Sequence, residues 1–535
     1  MPKWYDILSK EIDEWQDALN SGKKYKVLIA TSIGAHLSGA IVESMLAVAL
    51  TLRNAEVHIL LCDEALPACQ GWNLPKNNSE KEVVHSGPQK YLCKNCFNYA
   101  NKMFQALGIP IHYYSELLDR QDLLKAQNIS ETVDYSRIRD YEYGNLAVGE
   151  HAFAGALRFY ARGDLEGKTQ GKIVLRKYLK ASLLTAIAVR KILREHRFDC
   201  AVFHHGIYVP QGVIGEVCRS EEVRVVNWDL AYRKQCFIFS HDDTYHHTLM
   251  SEPVDKWENL PWTDAMEEKL MQYLGSRILG RNDWIRFHEK PNVDFNSISK
   301  ELHLDLSKPC IGLLTNVIWD AQIHYPKNAF RDMLEWLHVT IDYFIKRPEL
   351  QLVIRVHPAE IKGILESQQK VVDEINRTYP KLPNNIMIIP PESDISTYEV
   401  MLHCNAVLIY GTKTGVELSS MSVPIIVAGE AWIRNKGITR DAQSPEDYLR
   451  LLDGLPLNQK LNKKIVQRAR KYAFHFFFRR MIPVQVVNGI PKPPYVVLDI
   501  RNLNELKEGN DRGLDVICEG ILRGTDFIYP EECMS

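Results

Sequence analysis

Tyr25-Lys-Val-Leu-Ile-Ala-Thr-Ser-Ile-Gly-Ala-His-Leu-Ser-Gly39, an apolar stretch from Ala40 to Leu52, and then Glu56-Val-His-Ile-Leu-Leu-Cys62 decide the fold. Tyr25–Ala30 is a compact apolar run of strand type, the residues after it a glycine-containing loop, Ala40–Leu52 a helix and Glu56–Cys62 a second strand. Two short strands joined through a helix pair in parallel, because a hairpin has no room for the crossover. The unit is therefore βαβ and the sheet an α/β sheet. The pattern resumes with a helix at Leu175–Arg197, a strand at Asp199–His204, a helix at Gln211–Ser220 and a strand at Arg224–Trp228.

Residues from about 69 to 172 fit this rhythm poorly and read as an insertion over the loop end of the sheet. A second weakly patterned stretch, about Tyr245 to Lys300, ends an N-terminal domain of residues 1–300. A fresh α/β series follows, with strands predicted at Pro309–Thr315, Leu350–Val356, Asn385–Ile389, Ala406–Tyr410 and Pro424–Ala428, and helices between them. This gives a C-terminal domain over 301–480. A proline-bearing tail (Pro483, Pro491, Pro493, Pro494) over 481–535 packs back on the domains. The expected architecture is α/β: two Rossmann-like domains facing a cleft.

Composition excludes several classes. Sixty-five Lys and Arg against 67 Asp and Glu over 535 residues give a formal charge of -2, without the basic excess of a dedicated nucleic-acid binder. No apolar run reaches the ~18–20 residues that span a bilayer. The charged N-terminus lacks the apolar core of a secretory signal, so the expected location is the cytoplasm, with peripheral contact at the inner membrane face as an option. The 11 cysteines are then expected to be free thiols or metal ligands.

Two segments of the second series carry chemistry. In Leu352-Val-Ile-Arg-Val-His-Pro-Ala-Glu360 a strand runs into Arg355 and His357, at the carboxyl end where open α/β sheets bind ligands. In Ala406-Val-Leu-Ile-Tyr-Gly-Thr-Lys-Thr-Gly-Val-Glu-Leu418 a strand opens into a loop with Thr412, Lys413 and Thr414 ahead of a helix, a setting for a diphosphate. Glu417 is placed to accept hydrogen bonds from ribose hydroxyls. The plainer readings are a structural histidine, a surface arginine and routine helix capping.

These segments, with Pro424-Ile-Ile-Val-Ala-Gly-Glu430 and Thr315-Asn-Val-Ile-Trp-Asp320, resemble the C-terminal domain of bacterial capsule polysaccharide synthesis glycosyltransferases, over about residues 305–450. The His-Pro element is also shared with sialyltransferases of GT-B fold, whose acidic motif and paired serines are not found here. The resemblance implies a GT-B fold and a nucleotide-sugar donor, of cytidine or uridine type, held by the C-terminal domain. It assigns donor contacts to His357, Thr412 and Thr414, with Thr315 and Asn316 in the neighbouring family segment. It also implies that no metal ion or other cofactor is required. Protein groups, Arg355 and Lys413 among them, would then stabilise the leaving diphosphate.

The N-terminal domain is left with the acceptor and the general base. His36 follows the first strand and is the first candidate, its plainer role being to cap the next helix. His205 in Phe203-His-His-Gly206 and Asp229 in Asn227-Trp-Asp229 approach the cleft from neighbouring strand ends. Ser240-His-Asp-Asp-Thr-Tyr-His-His247 is read as a polar loop rather than a metal site. Cys69, Cys93 and Cys96, the last two in Cys-x-x-Cys spacing, are either a structural zinc site or partly buried free thiols. The basic and aromatic stretch from Lys463 to Arg480 either lies on an anionic membrane surface or packs its aromatics between the domains.

The expected function is a glycosyltransferase acting on a cell-surface polysaccharide or glycolipid acceptor, lipid-linked glycans included. The alternatives are a glycerophosphate-type polyol-phosphate transferase of the same architecture and a non-catalytic partner of a polysaccharide synthase.

Overall fold

The computed structural model describes residues 3–74, 78–278, 283, 290–321, 325–490 and 494–533. Pro491 and Pro493 of the proline-bearing tail lie outside the described residues.

The first sheet contains β1 (Tyr25–Ser32), β2 (Ala55–Leu61), β3 (Ile111–Tyr113), β4 (Cys200–His204), β5 (Arg224–Leu230) and β6 (Cys236–His241). Its order is β3-β2-β1-β4-β5-β6, parallel from β3 to β5, with β6 antiparallel to β5. The second sheet contains β7 (Cys310–Leu314), β8 (Gln351–Arg355), β9 (Ile386–Ile389), β10 (Ala406–Ile409), β11 (Ile425–Val427) and β12 (Arg440–Asp441). Its order is β9-β8-β7-β10-β11-β12, parallel throughout. Each sheet thus reverses direction of growth once, between β1 and β4 and between β7 and β10. Open α/β sheets bind ligands at that switch point, beyond the carboxyl ends of the strands.

Both faces of both sheets are covered, as near-continuous apolar strands require. In β1, Val27 and Ile29 join the core beneath helix Leu37–Thr51, while Leu28 and Ala30 join the core beneath helix Gly171–His196. The alternation follows from the period of two along a strand. In the second sheet Ile311, Leu313, Leu352 and Ile354 face helix Met333–Ile345, and Val353, Val407 and Ile409 face the opposite core with Trp432 and Phe476.

One feature departs from the sequence reading. The stretch expected as an insertion over residues 69–172 contains β3, so part of it is the sheet's own crossover; three half-buried edge residues give no apolar run to mark them. In the tail, β13 (Ile482–Pro483) pairs antiparallel with β6, and helix Arg512–Arg523 buries Leu514, Ile517 and Ile521 in the core of the first sheet. The chain therefore returns to its first domain after completing the second.

The basic stretch is used internally. Phe474, Phe476, Phe477 and Phe478 are buried. Arg468 pairs with Glu258, Arg470 with Glu267, and Arg479 with Glu532 at 2.8 Å. Of its two readings, aromatics packed inside the fold is the one the structure contains. Among the described residues no helix is long and apolar enough to cross a membrane.

Candidate active site

The two switch points face each other across one cleft of about 2280 Å³, lined by residues of both domains. That exceeds the ~300–1,000 Å³ of a usual small-ligand pocket and leaves room for two substrates side by side.

On the N-terminal wall, β4 ends at His204, whose Nε2–H donates to Asp229 Oδ1 at 3.0 Å. His204 Nδ1 is buried without a hydrogen-bond partner. A carboxylate that holds one ring nitrogen protonated leaves the lone pair on the other, which is the arrangement of a base with its orienting partner. The turn that follows is sharp: His205 and Gly206 both adopt left-handed backbone, with φ of 67° and 77°. A Cβ at position 206 would lie 2.6 Å from Asn227 Nδ2, so only glycine fits there. A non-glycine residue in this conformation costs about 1–2 kcal/mol, a strain of the kind found at functional turns. Burial holds both imidazoles neutral, with their pKa values pushed down to about 3.

His36 lies over this dyad, its ring centroid 3.9 Å from that of His204. Its Nδ1 accepts the Gly39 N–H at 2.9 Å and caps helix Leu37–Thr51. The lone pair is thereby occupied and Nε2 carries the proton, so His36 is a hydrogen-bond donor rather than a base. Burial and the neighbouring His204 hold its pKa well below the usual value. Of the three N-terminal candidates, Asp229 is the hydrogen-bond partner of His204, His36 caps a helix, and His205 lines the same cleft with its own Nδ1 buried and unpartnered. The signal for His204 is its place as the last residue of β4, opposite Trp228 in β5.

On the C-terminal wall, His357 Nδ1 accepts the Ala359 N–H at 3.1 Å, and the His357 N–H donates to Thr315 Oγ1 at 3.0 Å. The imidazole is kept neutral, its pKa pushed down to about 4 by burial and by the nearby Lys413 charge. It lines the cleft. Asn316 Oδ1 accepts the Gly411 N–H at 3.2 Å, which ties the loop after β7 to the loop after β10. Thr412 and Thr414 are linked hydroxyl to hydroxyl at 3.2 Å. The helix that follows, Thr414–Ser420, is only 7 residues long, and Thr412, Lys413 and Thr414 at its start line the cleft.

Arg355 and Glu417 are placed differently from the sequence expectation. Arg355 is 1% exposed and donates to Pro390 O at 2.6 Å, Ser393 O at 3.1 Å and Thr397 Oγ1 at 3.2 Å. It holds the loop after β9 in place, and spacing alone does not reveal that its guanidinium turns into the protein. Glu417 is fully buried, with Arg277 Nε at 2.7 Å, Lys413 Nζ at 2.9 Å and the Tyr398 hydroxyl at 2.5 Å. Its carboxylate is satisfied by these partners and orients Lys413 instead of receiving a ribose. Lys413 also lies over the Tyr232 ring at 4.6 Å, and burial together with Arg277 brings its pKa down to about 8. Arg277, Tyr232 and Tyr398 come from elements whose sequences give no motif.

The domains are joined beside the site. Tyr208 OH donates to Asp320 Oδ1 at 2.9 Å and accepts the Ala321 N–H at 3.0 Å, linking the turn after β4 to the loop after β7.

Cys69, Cys93 and Cys96 lie within electrostatic reach of one another, though among the described residues no three of their ligand atoms come within 4.8 Å. Cys96 Sγ accepts the Ala35 N–H at 3.0 Å, and burial pushes Cys69 and Cys93 up to about 12. Among the described residues, the group of three or more potential ligands with donor atoms within 4.8 Å of one another is His58, His112 and His196, and it includes no cysteine.

Two Rossmann-type domains with opposed switch points over one cleft define a GT-B protein. Residues 295–475 match the family model described as capsule polysaccharide biosynthesis protein, the family that the His-Pro and Gly-Thr-x-Thr-Gly segments resemble. No curated protein matches the chain in sequence. Among solved structures it is similar to the Thermosulfurimonas dismutans KpsC beta Kdo 2,4 transferase, at 11% identity over 58% of this chain and 88% of that one, with a TM-score of 0.35. The beta Kdo 2,7 transferase of the same KpsC aligns at 13% identity over 60% and 88%, with a TM-score of 0.32. The UDP-GlcNAc 2-epimerase from Neisseria meningitidis, bound to UDP-GlcNAc, aligns at 11% identity over 84% and 94%, with a TM-score of 0.25.

Proposed function

We propose that this protein is a glycosyltransferase that moves a sugar from a nucleotide-sugar donor to a capsule-type glycan acceptor, with the donor on the C-terminal wall. The observation that carries this reading is the opposition, across one cleft, of a His204–Asp229 dyad with an unpartnered Nδ1 and a wall bearing His357, Thr412 and Lys413. In the proposed step His204 Nδ1, buried in this structure, is uncovered as the acceptor seats and takes the proton of an acceptor hydroxyl, and the acceptor oxygen bonds to the anomeric carbon. The bond from that carbon to the donor phosphate oxygen breaks, and the nucleotide leaves with the electron pair. Asp229 stabilises the imidazolium that forms. His357 Nε2–H, the threonine hydroxyls and the Lys413 ammonium meet the developing phosphate charge. One base on the acceptor side suits direct displacement with inversion. Metal independence and a cytoplasmic location belong to the same proposal.

Thermal-shift titration with cytidine, uridine, guanosine and thymidine nucleotides tests the donor wall. The expected result is stabilisation by one base class, with at least about tenfold weaker binding in His357→Ala, since a charge-assisted hydrogen bond is worth ~1.5–3 kcal/mol. No stabilisation by any nucleotide at millimolar concentration contradicts the reading.

The pH dependence follows from Lys413. Its ammonium loses its proton near pH 8 in the free protein, and a bound phosphate favours the charged form. Above that pH, binding must take up a proton, so nucleotide affinity is expected to fall by up to about tenfold per pH unit. Below it the affinity is expected to stay flat down to the His357 range near pH 4. Calorimetric titration from pH 6 to 9.5 checks this, and Lys413→Ala removes the alkaline fall.

A further inference from the structure

Away from the cleft, three histidines from three separate elements meet on one face of the first sheet. His58 lies on β2 and His112 on β3, where Leu60 pairs with His112. Glu56, His58 and Leu60 alternate onto the same face, so His112 falls diagonally beside His58. His196, the last residue of helix Gly171–His196, covers them, its ring centroid 5.2 Å from that of His58 and 4.7 Å from that of His112. One ring nitrogen from each lies within 4.8 Å of the others. None of the three lines the cleft.

We propose that His58, His112 and His196 form a binding site for a divalent transition-metal ion of the zinc class, which clamps the short edge strand β3 to the helix end. The hydrogen bonds around the trio set it up for this. Glu56 Oε1 accepts from His58 Nε2–H at 2.8 Å and is itself held by Lys26 Nζ at 3.0 Å. A carboxylate behind a histidine fixes its tautomer and raises its basicity as a ligand. The His58 lone pair is thus on Nδ1, which faces His112 Nε2 at 2.7 Å. For a metal to enter, His112 moves its proton to Nδ1 and the pair opens to about 3.3 Å, the separation of two nitrogens each ~2.0–2.1 Å from a tetrahedral ion. His58 is buried while His112 and His196 are half-buried, which leaves a coordination position toward solvent for water. Three imidazoles without a thiolate favour zinc, nickel, cobalt or copper over magnesium or calcium. The Lys26 charge opposes a cation here, and its contact with Glu56 offsets that opposition.

Untagged full-length protein, stripped with EDTA, is titrated with cobalt(II) followed by visible absorption, and with zinc(II) followed by thermal shift. The expected result is one ion per chain, with affinity reduced at least about tenfold in His112→Ala and in His196→Ala, both melting in EDTA as the parent does. Zinc K-edge absorption of the parent protein reads the ligands without relying on any variant. A first shell of nitrogen with imidazole outer-shell scattering supports the site. Sulfur in that shell, no stoichiometric binding, or unchanged affinity in both variants overturns it.

Discussion

His204→Gln is expected to lower transfer by about 10²–10⁴-fold, the usual contribution of a general base, while nucleotide binding stays within about twofold of the parent. The split arises because His204 lies on the N-terminal wall, whereas the nucleotide contacts proposed above come from the second domain. Asp229→Asn is expected to lose nearly as much. Its amide can present an N–H to His204 Nε2, which shifts the imidazole proton to Nδ1 and removes the lone pair there. His36→Ala is expected to have a smaller effect: it removes a helix cap, worth ~1 kcal/mol, and a donor over the dyad. Steady-state turnover against acceptor concentration, with nucleotide affinity measured in parallel, checks all three. Equal losses in binding and turnover would assign the dyad to structure instead.

Glu43→Gln is expected to stabilise the protein at alkaline pH, an unusual direction for a buried substitution. Glu43 is 2% exposed in helix Leu37–Thr51, and its Oε1 accepts from Thr31 Oγ1 and from Trp228 Nε1 at 3.1 Å. Burial pushes this carboxyl up to about 8. Its folded pKa is thus above the unfolded value, so the stability it contributes is fully present below the usual carboxyl range. That stability is lost as pH rises through about 8. The gap corresponds to on the order of 4 kcal/mol, which glutamine recovers because it keeps the acceptor without the ionisation. Thermal unfolding at pH 5 and pH 8.5 should show a gain confined to the higher pH; equal curves for parent and variant at both would contradict it. Thr31 Oγ1 also accepts the His204 N–H at 2.8 Å, so Glu43 supports the dyad from behind.

The α/β class and the two-domain organisation are legible because strand-type and helix-type periodicities alternate visibly from Tyr25 and again from Pro309. The cleft walls are legible because His357, Thr412 and Asp229 lie at strand ends, where parallel sheets gather their ligands. What sequence cannot supply is the direction of a side chain at such an end. Arg355 and Glu417 sit where the pattern places donor contacts, yet both turn inward, one to three acceptors of a neighbouring loop and the other to Arg277. His204 and His205 are adjacent, and only the hydrogen bond from His204 Nε2 shows which one reaches Asp229. His36 reads as a base by position and is a cap by hydrogen bonding. The His58–His112–His196 trio spans separations that match no ligand spacing, because helix packing on a sheet face brings it together. The cysteines, spaced like a metal knuckle, gather into one neighbourhood without three ligand atoms meeting closely, which spacing alone does not show.

The most direct test of the transferase reading is acceptor-dependent release of nucleotide from the sugar nucleotide whose base is selected in binding, measured for the parent and for His204→Gln. The account predicts release that requires a capsule-type acceptor glycan and falls at least about a hundredfold in the variant with binding retained. A nucleotide that binds but is never released from its sugar in the presence of any such acceptor, or equal release by both proteins, would contradict it.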